Sequence, residues 1–274
     1  MTRYRATLAY DGTAYFGFQR QKEGVVTVQS ALEAAITRAT GQIAAVTGAG
    51  RTDAGVHATG QVVSFAVEWA HDVAVLLRAV NAHLPDDIAL QDIAIAPDGF
   101  HPRYSARSRV YRYLVTVTPQ RQPLLRHRAW QLHQPLDVDR LQLAAAQFVG
   151  VHDFAAFGQA AHGENTVREV FVSRWERIER ADNEYFFYEV EATAFLKHMV
   201  RRLVGVQVQA GQSRLTPEQV GEILREGDMS RVKRVAPPQG LTLVKVRYSD
   251  KNQPGRDEES DDRIAPCLLD QGSV

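Results

Sequence analysis

The chain of 274 residues contains a single cysteine, Cys267. One thiol excludes an intramolecular disulfide and any CxxC zinc site, and a reducing, cytoplasmic setting fits it best. No apolar run approaches the roughly 18 residues that cross a bilayer, so a soluble globular protein without a membrane partner is expected. The N-terminus, Met1-Thr-Arg-Tyr-Arg-Ala-Thr-Leu8, alternates polar and apolar residues as a strand does. It lacks the charged-then-apolar layout of a signal peptide. No nucleotide fingerprint is present either. The glycines of Gly48 to Gly55 would need another glycine where Asp53 stands to make GxGxxG, and no Gly-Lys-Ser/Thr follows to make a phosphate loop. His152-Asp153 and His162 lack metal-ligand spacing. Neither a cofactor nor a metal is expected.

Net charge is also missing, with 32 Lys and Arg against 32 Asp and Glu, but the balance averages unlike parts. From Ser249 to Val274, seven acidic residues face only Lys251, Arg256 and Arg263, which leaves residues 1–248 with +4. Within that body, His101 to Arg128 holds seven arginines and no acid, and Lys197 to Arg214 is likewise free of acids. Taken alone, such stretches are solvated faces as readily as contacts for a polyanion.

Periodicity supplies the architecture. Arg3 to Tyr10 reads as a strand, and Thr27 caps a helix carrying Val28, Ala31, Leu32, Ala35 and Ile36. Ile43 to Thr47 and Gln61 to Val67 are strands, Asp72 caps a helix that ends at Pro85, and Ile88 to Ile95 is a strand. The order is βαββαβ. It recurs with the strand Arg109 to Val117, a helix capped by Asp137, and a hairpin of Arg168 to Ile178 with Glu184 to Ala194 around Asp182-Asn183. A helix marked by Phe195, Met199, Leu203 and Val206 and the strand Leu241 to Tyr248 complete it, with one extra helix after the capping box Thr216-Pro-Glu-Gln219. The expected fold is α+β: two ferredoxin-like halves forming a largely antiparallel sheet, helices on one face, and a basic active-site cleft between the halves. The boundaries fall at residues 1–105, 106–248 and 249–274, the last an acidic, disordered tail.

The most informative stretch is Gly48-Ala-Gly-Arg-Thr-Asp-Ala-Gly-Val-His-Ala58, a polar loop between two strands. An Arg-x-Asp in a loop is, by itself, more often a surface ion pair. The whole string, however, resembles the G-x-G-R-T-D-x-G-V-H-A signature of the TruA family of tRNA pseudouridine synthases. Tyr10-Asp-Gly-Thr-Ala-Tyr-Phe-Gly-Phe-Gln-Arg-Gln21 resembles that family's first strand and turn, and Phe100-His-Pro-Arg-Tyr-Ser-Ala-Arg-Ser-Arg-Val-Tyr-Arg-Tyr113 its central segment. Phe195-Leu-Lys-His-Met-Val-Arg-Arg-Leu-Val-Gly205 and Ala236-Pro-Pro-Gln-Gly-Leu-Thr-Leu-Val-Lys-Val246 are similar to its last helix and strand. The likeness runs from about Tyr4 to Tyr248. It departs at Arg202, where the family more often has a polar residue, and in the acidic tail.

The resemblance implies an isomerase that converts uridine to pseudouridine at tRNA positions 38, 39 and 40 in the anticodon stem-loop, and a homodimer. It implies that Asp53 is the catalytic carboxylate, acting as nucleophile on the ribose or removing a ribose proton to give a glycal; the sequence does not choose. Asp53 needs a cationic partner to stay ionised away from water, and Arg201 stands at the family's position for it. Arg51 matches the arginine that contacts RNA and helps hold the target nucleotide out. Tyr111 matches the tyrosine that stacks on the uracil, although a strand tyrosine is by itself more often core. Leu243 packs below the base or is an ordinary core residue. The arginines of 101–128 would meet phosphates along the stem, and His57 orders the loop. Two other classes compete: a non-catalytic RNA-binding protein of ferredoxin-like fold, which has no use for Asp53, and a phosphate-handling enzyme, for which no lysine or carboxylate cluster is present.

Overall fold

The computed structural model describes residues 1–160, 163–180 and 183–249. The expected acidic tail beyond Ser249, His162 and the turn residue Asp182 lie outside the described residues. In chain order, β1 (Thr2–Tyr10) is followed by α1 (Val28–Thr40), β2 (Thr47–Gly48), β3 (His57–Val67), α2 (Val73–Asn81) and β4 (Ile88–Ile95). Then come β5 (Ala106–Val117), β6 (Trp130–Leu132), α3 (Val138–Ala146), β7 (Gly150–Asp153), β8 (Val167–Arg180) and β9 (Asn183–Ala192). Helices α4 (Met199–Gly211) and α5 (Pro217–Glu226) precede the last strand, β10 (Leu241–Tyr248). Among the described residues this is an α+β fold, a large mostly antiparallel sheet with five α-helices.

The helix ends lie where local chemistry puts them. Thr27 and Thr216 each close a capping box, with Ser30 and Gln219 respectively. Asp72 and Asp137 accept the first free N–H groups of α2 and α3. Successive side chains of a strand point to opposite faces of the sheet. In β9, Phe186, Tyr188 and Val190 enter the main core, while Tyr185 and Phe187 join a small second cluster with Leu125 and Ala129 on the other side.

The sheet order is β4-β1-β3-β10-β5-β9-β8-β7, with β2 added to β3 and β6 to β5. Neighbours run antiparallel except β10 with β3 and β6 with β5. The junction between the two ends of the chain is therefore β3 against β10, and that contact is short: Thr242 opposite His57 and Leu243 opposite Ala58. Farther along β3, Thr47 and Gly48 of β2 pair with Ser64 and Val63. Since β1 occupies the other edge of β3, β2 and β10 share one edge and diverge along it. The loop 49–56 lies in this fork.

Two local expectations differ from the structure. The strand expected over Ile43 to Thr47 is ladder-paired only at Thr47–Gly48. The backbone of Val46 is satisfied by α1 side chains instead: its N–H donates to Glu33 Oε1 (2.9 Å) and its carbonyl accepts from Gln29 Nε2 (2.9 Å). Phe195, expected in the helix, lies before α4, which begins only after His198 at φ +63°. Apolar spacing alone cannot register a left-handed residue.

Close approach governs the junction. A Cβ on Gly60 of β3 would lie 2.2 Å from the Val244 carbonyl oxygen of β10, a backbone atom that cannot move aside. Gly60→Ala is expected to destabilise the protein by about 1–3 kcal/mol, the usual cost of overpacking. Thermal denaturation should show a midpoint lower by several degrees, whereas an unchanged midpoint would mean that the two strands can separate freely.

Candidate active site

The loop between β2 and β3 is tied down at almost every residue. Ala49 N–H donates to the Val62 carbonyl (2.8 Å), and the Gly50 carbonyl accepts from Gln61 Nε2 (2.9 Å). Thr52 is held at both ends: its Oγ1 lies 2.8 Å from the buried Tyr10 hydroxyl and its carbonyl accepts from Phe18 N–H (3.1 Å). The turn closes with Val56 N–H on the Asp53 carbonyl (3.2 Å) and with Gly55 at φ +77°, a conformation that side chains disfavour. Backbone ties of this kind leave the Asp53 side chain projecting from a fixed base.

Asp53 projects toward the first turn of α4. Arg201 Nη1 donates to Asp53 Oδ2 at 3.0 Å, with the carboxylate 25% and the guanidinium 16% exposed. Arg201 is itself held by Nε donating to the Ala236 carbonyl (2.8 Å), and its own carbonyl accepts from Ala236 N–H (3.0 Å). A carboxylate before the first turn of a helix also faces the positive end of its dipole. His198, which no sequence pattern marks as a site residue, has its Nε2 3.6 Å from the same Asp53 oxygen. Burial lowers the His198 pKa, against the pull of Asp53, with Arg201, Arg202 and Lys197 adding to the lowering. The fixed helical reading of 195–206 hid it, because a residue inside a helix would not turn back toward the loop.

These groups border a cavity of about 410 Å³ whose walls include Arg51, Thr52, Asp53, Tyr111, Phe195 and Arg201. Tyr111, on β5, is 8% exposed and stands edge-on to Phe195, with ring centroids 5.1 Å apart and planes at 85°. Burial, the largest cause, raises its pKa well above the tyrosine norm, so its hydroxyl stays protonated. Arg51 is exposed on the wall, and of the two arginines it is Arg201 that pairs with Asp53. Leu243 is not on the wall. It is fully buried opposite Tyr111 in the β5–β10 register, and Leu241, two residues earlier on the same side of β10, lines the cavity instead.

The arginine-rich stretch does not act as one surface. Arg103, Arg107, Arg121 and Arg126 are exposed, but Arg112 pairs with Glu189 (2.8 Å) and Arg128 with Asp11 (2.8 Å). Arg109 is buried and its guanidinium donates to three carbonyls, of Thr193 (2.8 Å), Ala49 (3.0 Å) and Arg103 (2.6 Å). It fastens the loop between β2 and β3 to β5, so it is a structural cation and is not available to a phosphate.

With this geometry in view, the chain can be set beside known proteins. The profile of the family described as tRNA pseudouridine synthase matches residues 6–105 and 144–249. A tRNA pseudouridine synthase A of Myxococcus xanthus is 40% identical over 251 residues, covering 91% of this chain and 93% of that protein. The protein of the same name from Chloroflexus aurantiacus is 42% identical over 242 residues, 88% of this chain and 87% of its own length. One from Neisseria gonorrhoeae is 39% identical over 247 residues, 90% of this chain and 92% of its own length. The chain belongs to the tRNA pseudouridine synthase family, and it is an isomerase. The loop, the cavity and the Asp53–Arg201 pair thus sit in an RNA-modifying enzyme, and the two competing classes fall away. No helix among the described residues is long and apolar enough to cross a membrane.

His57 joins three segments beneath the loop. Its Nδ1 accepts from Gly12 N–H (3.1 Å) and faces Arg128 Nη1 (3.3 Å), while Nε2 lies 3.1 Å from the Gln239 carbonyl. Donors at one nitrogen and an acceptor at the other suit the neutral ring protonated at Nε2. Asp11 Oδ1, 3.0 Å from Nδ1, pulls the other way, but burial is the larger effect and lowers the His57 pKa. A folded value below the unfolded one of about 6.5 means that the unfolded chain takes up a proton first as pH falls. Stability should therefore decline from about pH 6.5 downward until the folded-state pKa is reached. His57→Gln should show a shallower decline than the wild type in denaturant unfolding at pH 7.5 and 5.5; equal slopes would remove His57 from the account.

Proposed function

We propose that the protein isomerises uridine to pseudouridine at positions 38, 39 and 40 of the tRNA anticodon stem-loop, with Asp53 as the catalytic carboxylate. The observation that carries this reading is the Asp53 carboxylate, held 3.0 Å from Arg201 in a cavity walled by Tyr111. The reaction breaks the bond between uracil N1 and ribose C1′, turns the detached base, and forms a bond from C5 to C1′. N1 gains a proton and C5 loses one, so atoms balance without any added reagent. Asp53 acts as nucleophile at C1′, the anion being kept available by a guanidinium that is itself fixed to the Ala236 carbonyl. The competing glycal route would use the same carboxylate as a base on the ribose.

Tyr111 would stack on the uracil while it turns, with Leu241 on the cavity wall beside it, and Arg51 on the exposed wall would hold the flipped nucleotide by its phosphate. Extrusion costs a few kcal/mol, least near the end of a stem. Lys197, Arg103 and Arg51 border the cavity and supply the cationic rim for the RNA backbone. In the same reading the chain forms two ferredoxin-like halves, residues 1–105 and 106–248, with the helices on one face and a basic cleft between the halves. The strand orders support this: β4-β1-β3 with β2 on one side of the fork, and β10-β5-β9-β8 on the other. A homodimer and a cytoplasmic setting complete the proposal.

Asp53→Asn should lower turnover of unmodified tRNA by roughly 10⁴-fold or more, as loss of a nucleophile does, while leaving tRNA binding near wild type. Carbodiimide mapping of the product, made without added metal or cofactor, should find pseudouridine at 38, 39 and 40; appreciable conversion by the Asn variant would remove Asp53 from its role. For Tyr111, the Phe variant should keep most activity and the Ala variant lose about 1–3 kcal/mol of stabilisation, or some 5- to 150-fold in kcat/KM. Full activity in both variants would refute stacking.

A further inference from the structure

Tyr104 is unusual among the aromatic residues. It is 78% exposed, yet it lies on the wall of the Asp53 cavity together with His101 and Arg103. An exposed tyrosine on a mobile loop would mean little, but this one rests on a second ring and stands on a hydrogen-bonded turn. Its ring lies over the His101 imidazole, with centroids 4.3 Å apart and planes at 32°. His101 Nδ1 accepts from the backbone N–H groups of both Arg103 and Tyr104, each at 3.2 Å. The turn closes with His101 N–H on Ser105 Oγ (3.1 Å) and Ser105 N–H on the His101 carbonyl (2.9 Å). The Arg103 guanidinium lies over the tyrosine ring at 5.8 Å from its centroid. The buried Arg109 then joins this turn to the catalytic loop, one of its nitrogens donating to both the Arg103 and the Ala49 carbonyls.

The result is an aromatic face at the mouth of the cavity, rigidly referenced to Asp53 and backed by a second ring. We infer that Tyr104, supported by His101, is a stacking platform for the nucleobase that flanks the target uridine. This rests on the proposed tRNA isomerisation. When the target leaves the stack, the adjoining base loses a stacking partner. Tyr111 lies deeper and faces the target, so Tyr104 is the surface left for the neighbour. A stacking contact reads the face of a base and not its edge, so it tolerates any base. That suits an enzyme serving three consecutive positions, each with a different neighbour. Arg103, charged and over the same ring, places a cation where the neighbour's phosphate would pass.

The test is a cycle of protein and RNA variants, read as kcat/KM with unmodified tRNA. Tyr104→Ala should lower kcat/KM roughly 5- to 150-fold, the range of a lost base–aromatic stack, and Tyr104→Phe should stay within about twofold of wild type. Because the side chain is exposed, the melting midpoint of the Ala variant should be unchanged, which separates the loss from a folding defect. Substrates carrying an abasic nucleotide immediately 5′ or 3′ of the target should lose a similar factor with the wild-type enzyme on one of the two sides. With Tyr104→Ala that abasic substrate should lose little more. Losses that multiply on both sides, or full kcat/KM for Tyr104→Ala, would overturn the platform. If the wild-type enzyme converted no uridine at all, the proposed isomerisation would fail, and the platform with it.

Discussion

The Asp53–Arg201 pair joins residues 148 positions apart, and its geometry depends on everything packed around the fork. A lone carboxylate in a half-closed cavity is costly to desolvate, and a lone guanidinium there equally so; together each satisfies the other. Neither side chain reaches its partner from a flexible tether. Asp53 stands on a loop whose backbone groups are individually hydrogen-bonded, and Arg201 is fastened to the Ala236 carbonyl on one side and to α4 on the other. The pair thereby couples the loop between β2 and β3 to α4 and to the segment that leads into β10.

Around that pair, buried polar groups act as fasteners rather than as reagents. Arg109 spans three carbonyls, His57 bridges the turn after β1 to the residue before Gly240, and the Tyr113 hydroxyl donates to the Pro237 carbonyl at 2.7 Å. Each ties a segment that carries a cavity residue to the sheet. Their common partner is a main-chain carbonyl outside the strands, an acceptor without a strand partner that takes its donor from a side chain.

Much of the fold was legible from local signals. The capping boxes at Thr27 and Thr216, the caps at Asp72 and Asp137, and the alternation of β1, β5 and β9 all lie where their patterns indicate. Failures occurred where a distant contact overrode a local pattern. Val46 reads as strand but gives its hydrogen bonds to Glu33 and Gln29 of α1, and Phe195 reads as helix but packs on Tyr111. Arg109 and Arg112 looked like phosphate ligands because composition cannot distinguish a buried cation or one already paired with Glu189 from a free one. Leu241 and Leu243 share one face of β10, and only the folded cavity reveals which of them borders it.

By itself the sequence determined the order of elements, the presence of a constrained acidic loop and, through its motifs, the family. These depend on periodicity, turn chemistry and short strings, all of which act within a few residues along the chain. Only the tertiary structure decided that His198 stands beside Asp53, that Leu241 rather than Leu243 lines the cavity, and that Tyr104 is held at its mouth. Those outcomes depend on where the sheet forks, and the fork arises from pairings between strands nearly 200 residues apart, for which no local pattern carries the register.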